Sequence, residues 1–259
     1  MADAKVALSI SGPIATIILA DPANRNAVDL RFVQELAHAA IACAANDAVK
    51  VILMRAEGEA FCVGGDIRHF LDNREHLHAH VLEMASVFHV ALTRLRSGRA
   101  IVLIAVNGIA AGGGFSLVCN ADMAVAKRSA KFVSAYTRSG LTPDGGGTFF
   151  LPRMVGLKKA FDIMATNPAL SAEQALELGI ISRVFEDGEF DAEVEKLAQT
   201  LAESPPGALA GLKALLRSSA SASFEEQLDA EARSVAALAS SPPTLERLTA
   251  FLQRSKSGS

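Results

Sequence analysis

The sequence has little of what disulfide-stapled, membrane-spanning or secreted proteins need. Its 259 residues include three cysteines, Cys43, Cys62 and Cys119, an odd number without the spacing of a metal site. We therefore expect three buried apolar thiols in a reducing compartment. No apolar run reaches the length of a membrane span, and residues 1–5 lack the core of a signal peptide. We expect a cytoplasmic protein that does not bind membranes.

The sequence also lacks an excess of basic residues. Its 25 Lys and Arg residues are outnumbered by 28 Asp and Glu residues, which gives a net charge of −3. Binding to nucleic acid depends on a basic excess, so we expect no nucleic-acid partner. A chain of this length buries enough surface on folding to be stable without disulfides. Half of its residues are hydrophobic, which is typical of a globular protein.

The order of hydrophobic segments indicates an α/β core. Residues 5–10 and 14–19 flank a Ser-Gly-Pro turn and predict a β-hairpin. Residues 51–54 and 101–106 are short and fully apolar, which is typical of buried strands. In the C-terminal third, only residues 180–185 resemble a strand. The chain therefore predicts a mixed α/β core followed by helices.

Signals for helix starts support this division. Asp29 precedes an apolar stripe and predicts an N-cap, and we expect a long helix over residues 73–96. Ser171 and Ser223 each stand three residues before Gln or Glu, which is the spacing of a capping box. We predict two parts: an α/β core with the functional site in residues 1–195, and a helical region for oligomerisation in residues 196–259.

Three glycine-rich stretches carry the chemical signal: residues 61–66 (FCVGGD), 108–114 (GIAAGGG) and 144–148 (DGGGT). Glycine lets the backbone approach a ligand closely and adopt a positive φ. Where a strand gives way to a helix, such residues leave unpaired N–H groups that can face a cleft. One donor from each of two turns could bind a carbonyl oxygen that gains negative charge. Losing one such donor costs about 3–4 kcal/mol of transition-state stabilisation.

Other interpretations of these glycines were weighed. A phosphate-binding P-loop needs Lys followed by Ser or Thr after its glycines, but Gly114 is followed by Phe115 and Ser116. A dinucleotide fingerprint needs glycines in the first βα unit, which is the wrong context here. Tight helix–strand packing remains an alternative for each stretch. From the residues alone, we predict an oxyanion or anion cleft.

A series of motifs stands in a fixed order along the chain: residues 21–27 (DPANRNA), 60–66 (AFCVGGD), 105–114 (AVNGIAAGGG), 129–133 (SAKFV), 140–148 (GLTPDGGGT) and 170–175 (LSAEQA). Together they resemble the enoyl-CoA hydratase/isomerase (crotonase) superfamily over nearly the whole chain. The resemblance implies an α/β fold, a spiral of ββα units with a helical C-terminal region. It also implies a homotrimer or a dimer of trimers.

The same resemblance implies a site for an acyl-CoA thioester. The backbone N–H groups of Gly65 and Gly113 would form an oxyanion hole for the thioester carbonyl. No metal or other cofactor is expected, because coenzyme A arrives as part of the substrate. Arg25 is a candidate to bind the phosphates of coenzyme A; the alternative is that it is a solvated surface arginine. The residues that would contact coenzyme A are Asn24, Arg25, Ala27, Ala60 and Asp66.

The departures from the family pattern favour one reaction. Hydratases of the family position water with two glutamates, and this chain has Ser116 and Tyr136 at those places. Without both carboxylates, syn addition of water lacks its acid and base. Asp144 resembles the aspartate of family isomerases, which shift a double bond by moving one proton. We therefore predict an isomerase with Asp144 as acid/base and Ser116 and Tyr136 in the substrate pocket; the alternative for Asp144 is a helix N-cap.

Three further functions remain open. The aryl-CoA dehalogenases of the family use the same aspartate as a nucleophile, and His89 stands where they carry a water-activating histidine. Gly65, in place of a bulky aromatic residue, argues against this function, and His89 could instead be a packed core or pocket residue. A hydratase acting on an unusual substrate is another alternative. A catalytically silent binding protein is the last.

The predicted long helix begins with three histidines, His76, His78 and His80. His76 and His80 would share a face, but no third residue stands at the spacing of a metal site. We interpret the three as an exposed polar face. The acyl pocket is expected to be shaped by residues near Phe70, Leu71, 76–81 and Phe88.

Overall fold

A computed structural model describes residues 4–205 and 207–257. The chain divides into two compact units, Met1–Gln199 and Thr200–Ser259. Within the described ranges, no helix is both long and apolar enough to cross a membrane. The assembly of the chain into oligomers stays a prediction.

The described residues form ten strands: β1 (Val6–Ser11), β2 (Ile14–Leu19), β3 (Val51–Ala56), β4 (Ala60–Cys62), β5 (Ile101–Val106), β6 (Ile109–Ala111), β7 (Met123–Lys127), β8 (Lys131–Val133), β9 (Leu170–Ser171) and β10 (Arg183–Phe185). The larger sheet has the order β1-β2-β3-β5-β7-β10, and the smaller has the order β4-β6-β8-β9. The predicted hairpin is confirmed, with β1 and β2 antiparallel and Val6 opposite Leu19. The predicted strands at 51–54 and 101–106 are confirmed as β3 and β5.

The helices of the described residues are α1 (Leu30–Ala44), α2 (Ile67–Asp72), α3 (Leu77–Ser97), α4 (Gly113–Asn120), α5 (Gly147–Val155), α6 (Leu157–Thr166), α7 (Ala172–Glu177), α8 (Phe190–Ala202), α9 (Ala208–Ser218), α10 (Phe224–Ala239) and α11 (Pro242–Ser257). Asp29 caps α1 as predicted, since its side chain accepts a 2.8 Å hydrogen bond from the N–H of Phe32. Both predicted capping boxes form, at Ser171 for α7 and at Ser223 for α10.

Two predicted elements are shorter than expected. The helix predicted from residue 73 begins at Leu77, because Asn73 ends α2 by donating its side-chain N–H to the carbonyl of His69 at 2.8 Å. The strand predicted over residues 180–185 begins only at Arg183. Ile180 and Ile181 instead donate their N–H groups to the carbonyl of Ala175, which closes the end of α7.

The two sheets alternate along the chain, and this alternation builds the site. Each of β3, β5 and β7 lies in the larger sheet and is followed within a few residues by a short strand of the smaller sheet, β4, β6 or β8. The fold is therefore the predicted mixed α/β spiral, with parallel strands buried at its centre. Since β4 and β6 are parallel neighbours, the glycines that follow them come together at the same edge.

Candidate active site

Two glycine turns meet where β4 and β6 end. A side chain on Gly112 would place its Cβ 3.3 Å from the Cα of Gly64, and a Cβ on Gly64 would lie 3.3 Å from the nitrogen of Gly113. Gly64 and Gly112 also have positive φ angles of 87° and 51°. Larger residues at these two positions would strain the backbone and push the turns apart.

The next residue of each turn, Gly65 and Gly113, presents a free backbone donor. Val28 donates its N–H to the carbonyl of Gly64 and accepts from the N–H of Asp66, at 2.8 and 2.9 Å. In a parallel bridge of this kind, Gly65, which lies between Gly64 and Asp66, directs its own N–H away from Val28. Gly113 begins α4, where N–H groups have no partner within the helix. Across residues 4–205 and 207–257, neither N–H has a hydrogen-bond acceptor.

Both glycines line a cavity of about 340 Å³. One wall is apolar and comes from α2 and α3, with Phe70, Met84 and Phe88 among its side chains. The opposite wall comes from the segment before α5 and contributes Tyr136 and Asp144. Of the residues predicted to shape the pocket, Phe70, Val81 and Phe88 line it, whereas Leu71 and residues 76–80 do not. An apolar cavity with few polar groups is typical of a small-molecule site.

The carboxylate of Asp144 contacts an imidazole from α3. Its Oδ1 lies 2.6 Å from Nε2 of His89, and the two side chains are 38% and 51% exposed. His89 does not line the cavity itself but touches the group that does. Asp144 is not the N-cap of α5, because Gly146 occupies that position, so that alternative is wrong. His89 is exposed, which also excludes the interpretation as a core residue.

Ser116 lies behind Asp144 rather than in the cavity lining, where we had predicted it. It is 1% exposed, and its hydroxyl donates a 2.7 Å hydrogen bond to the backbone carbonyl of Asp144. The hydroxyl of Tyr136, which does line the cavity, lies 3.3 Å from the Ser116 oxygen. Burial raises the pKa of Tyr136 to about 12. Its phenol therefore stays protonated at neutral pH and can act only as a neutral donor or acceptor.

The segments predicted to bind coenzyme A are tied together by Asn26, a residue that sequence reasoning missed. Its buried side chain donates to the carbonyls of Glu57 and Ala60 at 3.1 and 2.9 Å. Asn24 and Arg25 are exposed beside it, while Ala27 and Ala60 are buried. In the sequence, Asn26 is marked by its place within the motif of residues 21–27. In the structure, it has a left-handed φ of 55°. Contacts of this segment with coenzyme A stay a prediction.

Asp66 follows Gly64 and Gly65 and is the N-cap of α2. Its Oδ1 accepts hydrogen bonds from the N–H groups of Arg68 and His69, at 3.0 and 3.2 Å. This capping fixes where α2 leaves the loop. The proposed role of Asp66 in binding coenzyme A is untested.

The predicted exposed histidine face is wrong for one of its three members. His76 and His78 are exposed, but the ring of His80 packs against the ring of His69 on α2, with centroids 4.7 Å apart. The Nε2 atoms of both His69 and His80 are buried and have no hydrogen-bond partner in the part of the chain that the structure describes. Their contact joins α2 to α3 above the cavity wall.

The three cysteines are free and buried, as predicted. Burial raises the pKa of Cys62 and of Cys119 to about 12, and that of Cys43 to about 11. Since the thiolate is the reactive form, none of these thiols is a nucleophile at neutral pH.

Comparison with known proteins places this site in a family. Residues 9–258 match the family model described as enoyl-CoA hydratase/isomerase, and the chain belongs to that family. It is 32% identical over 219 residues to the 1,2-epoxyphenylacetyl-CoA isomerase of Escherichia coli K12, covering 84% of each chain. It is 28% identical over 250 residues to the 4-chlorobenzoyl coenzyme A dehalogenase-2 of an Arthrobacter species, covering 96% of this chain and 91% of that protein.

A solved structure agrees with the sequence matches. The enoyl-CoA hydratase from Polaromonas sp. JS666 superposes with a TM-score of 0.90 at 28% identity, covering 96% of this chain and 97% of that one. The relatives carry the names of an isomerase, a dehalogenase and a hydratase. The family therefore defines an acyl-CoA enzyme, and the reaction has to be inferred from the residues of the site.

Proposed function

We propose that this protein is an enoyl-CoA isomerase, which shifts a double bond of an acyl-CoA from C3 to C2 through a thioester enolate. One observation carries the proposal. Asp144 lines the same cavity as Gly65 and Gly113, whose backbone N–H groups have no acceptor among the residues that the structure describes. A base and an oxyanion site at one acyl chain are the groups that enolate formation requires.

The chemistry needs only these groups. The two N–H donors bind the thioester oxygen and stabilise the negative charge that develops there. Asp144 removes a proton from C2, and the electron pair delocalises onto the thioester oxygen through C1 and, through the C3–C4 double bond, onto C4. The protonated carboxyl then returns the proton to C4, and the double bond moves to C2–C3. Asp144 ends the cycle as it began, so no second acid is needed.

His89 supports this role of Asp144 by occupying one of its oxygens. An imidazole that donates Nε2–H to Oδ1 keeps that oxygen paired and leaves Oδ2 for the substrate. The hydrogen bond also restrains the rotation of the carboxylate. His89 is a positioning residue in this reaction and does not itself carry the shuttled proton.

The proposal is tested by supplying 3-enoyl-CoA esters of different acyl groups in deuterated water. We expect conversion to the conjugated 2-enoyl-CoA, measured by its ultraviolet absorbance, with deuterium entering at C2 or C4 by exchange. If no ester of the panel is converted and none exchanges deuterium, the isomerase is rejected. That result would favour a catalytically silent binding protein.

A second candidate function is favoured by the contact between His89 and Asp144. In a hydrolytic dehalogenation, Asp144 would attack the halide-bearing ring carbon of an aryl-CoA and form an aryl ester as halide leaves. Water activated by His89 would then attack the ester carbonyl, releasing the hydroxylated ring and free Asp144. The matched dehalogenase of Arthrobacter gives this function additional support.

The variant His89→Gln separates the two functions. If His89 only positions Asp144, loss of the imidazole weakens one hydrogen bond, and isomerisation falls about tenfold or less. If His89 activates water, hydrolysis falls about 10²- to 10⁴-fold. The measurements are 2-enoyl-CoA formation and halide release from 4-halobenzoyl-CoA. His78→Gln, an exposed histidine on the same helix, is the matched control.

A further inference from the structure

Two aromatic rings stand beside the two free backbone donors. A Cβ on Gly65 would lie 3.0 Å from Cζ of Phe70, and a Cβ on Gly113 would lie 4.0 Å from Cε1 of Phe88. Phe88 also packs against a third glycine turn, the one before α5, because a Cβ on Gly145 would lie 2.7 Å from the same Cε1 atom. The space next to a bound carbonyl is therefore bounded by one ring from α2 and one from α3.

The ring of Phe70 occupies the space that a side chain at residue 65 would take. Gly65 brings nothing into the cavity beyond its backbone, and the volume in front of it is filled by the ring of Phe70. Two contacts hold α2, the helix that carries this ring. Asp66 caps its start, and His69, in the middle of the helix, packs on His80 of α3.

We propose that Phe70 is the specificity-determining residue of the acyl site, and that with Phe88 it selects acyl groups carrying a planar aromatic ring near the carbonyl. The inference rests on the proposed function only in placing the thioester carbonyl at Gly65 and Gly113. Two aromatic walls interact with a third ring through offset or edge-to-face contacts, which contribute beyond the area they bury. A linear alkyl chain gains only the burial of its area.

Three ligands with eight acyl carbons each test the proposal: phenylacetyl-CoA, cyclohexylacetyl-CoA and octanoyl-CoA. None has an alkene at C2 or C3 for an isomerase to shift, so calorimetry measures binding without turnover. We expect phenylacetyl-CoA to bind about fivefold more tightly than octanoyl-CoA, in line with the strength of aromatic pairs. Cyclohexylacetyl-CoA should fall below phenylacetyl-CoA, because it has the ring shape without the aromatic face.

In Phe70→Leu, the preference for phenylacetyl-CoA over octanoyl-CoA should disappear. Phe70→Met keeps more of the apolar volume and should lose the preference as well, with thermal unfolding checking that both variants fold. Phe161→Leu, which changes an exposed phenylalanine of α6, is the matched control and should keep the wild-type ratio. A wild-type ratio near one, or an unchanged ratio in both Phe70 variants, overturns the proposal.

This test is independent of whether the protein is an isomerase. Asp144→Asn keeps both rings and both backbone donors, so it should keep the ligand preference even where turnover is lost. A wild-type protein that isomerises 3-enoyl-CoA but binds phenylacetyl-CoA and octanoyl-CoA equally would reject the role of Phe70 alone. An intact preference without isomerisation would reject the reaction alone.

Discussion

Asp144→Asn is expected to lower isomerisation about 10²- to 10⁴-fold while binding of acyl-CoA esters stays near that of the wild type. The amide has the size of the carboxylate, and its oxygen can still accept a hydrogen bond from His89, so the geometry around residue 144 is retained. It cannot take a proton from C2. Deuterium exchange at C2, followed by NMR, and dissociation constants from calorimetry measure the two effects separately.

The matched control is Asp162→Asn on α6, an exposed aspartate whose ion pair is with Lys159. We expect this variant to exchange deuterium at the wild-type rate. Unchanged exchange in Asp144→Asn would remove this residue from the mechanism. If Asp144→Asn loses both ester binding and deuterium exchange, the carboxylate contributes to binding the ester.

The sequence alone predicted glycine turns with backbone donors, and the resemblance to the crotonase superfamily implied which two residues these are. Gly65 and Gly113 each follow a short strand, and parallel neighbours bring such ends to the same edge. Asp144 was identified from its resemblance to the aspartate of family isomerases, and the structure places it in the same cavity as the two glycines. These inferences depend on backbone positions, which motifs specify well.

The side-chain contacts could not be predicted in the same way. His89 and Asp144 are 55 positions apart, and no periodicity in either segment links them. Phe70 reaches Gly65 from α2 (Ile67–Asp72), a six-residue helix capped by Asp66. The sequence predicted a helix only from residue 73 onward, so it did not show which ring lies beside Gly65.

Ser116 shows how a side chain can turn away from the role its position suggests. Family hydratases carry a glutamate at this place, and we had predicted that Ser116 lines the pocket. Its hydroxyl instead points at the backbone carbonyl of Asp144, at 2.7 Å. The glycines of the next turn lie close by, since a Cβ on Gly145 would be 2.9 Å from the Cβ of Ser116.

Ser116→Glu is therefore expected to destabilise the protein without creating a hydratase. The position is buried, and the Ser116 oxygen already lies 2.7 Å from the carbonyl of Asp144 and 3.3 Å from the hydroxyl of Tyr136, so a longer side chain meets both. A buried carboxylate without a charged partner costs about 3–5 kcal/mol of the free energy of unfolding. The donor to the carbonyl of Asp144 is lost as well. Urea denaturation measures the stability, and hydration of 2-enoyl-CoA measures the activity.

Ser116→Ala separates these two causes, because it removes the hydrogen bond and adds no volume or charge. We expect it to lose about 1 kcal/mol of stability. Its turnover should fall with little change in KM, since Asp144 is then held less firmly above the enolate. A stable Ser116→Glu protein that hydrates 2-enoyl-CoA would contradict the argument. It would mean that residue 116 can turn into the cavity, and that the missing glutamates alone separate this enzyme from the hydratases of its family.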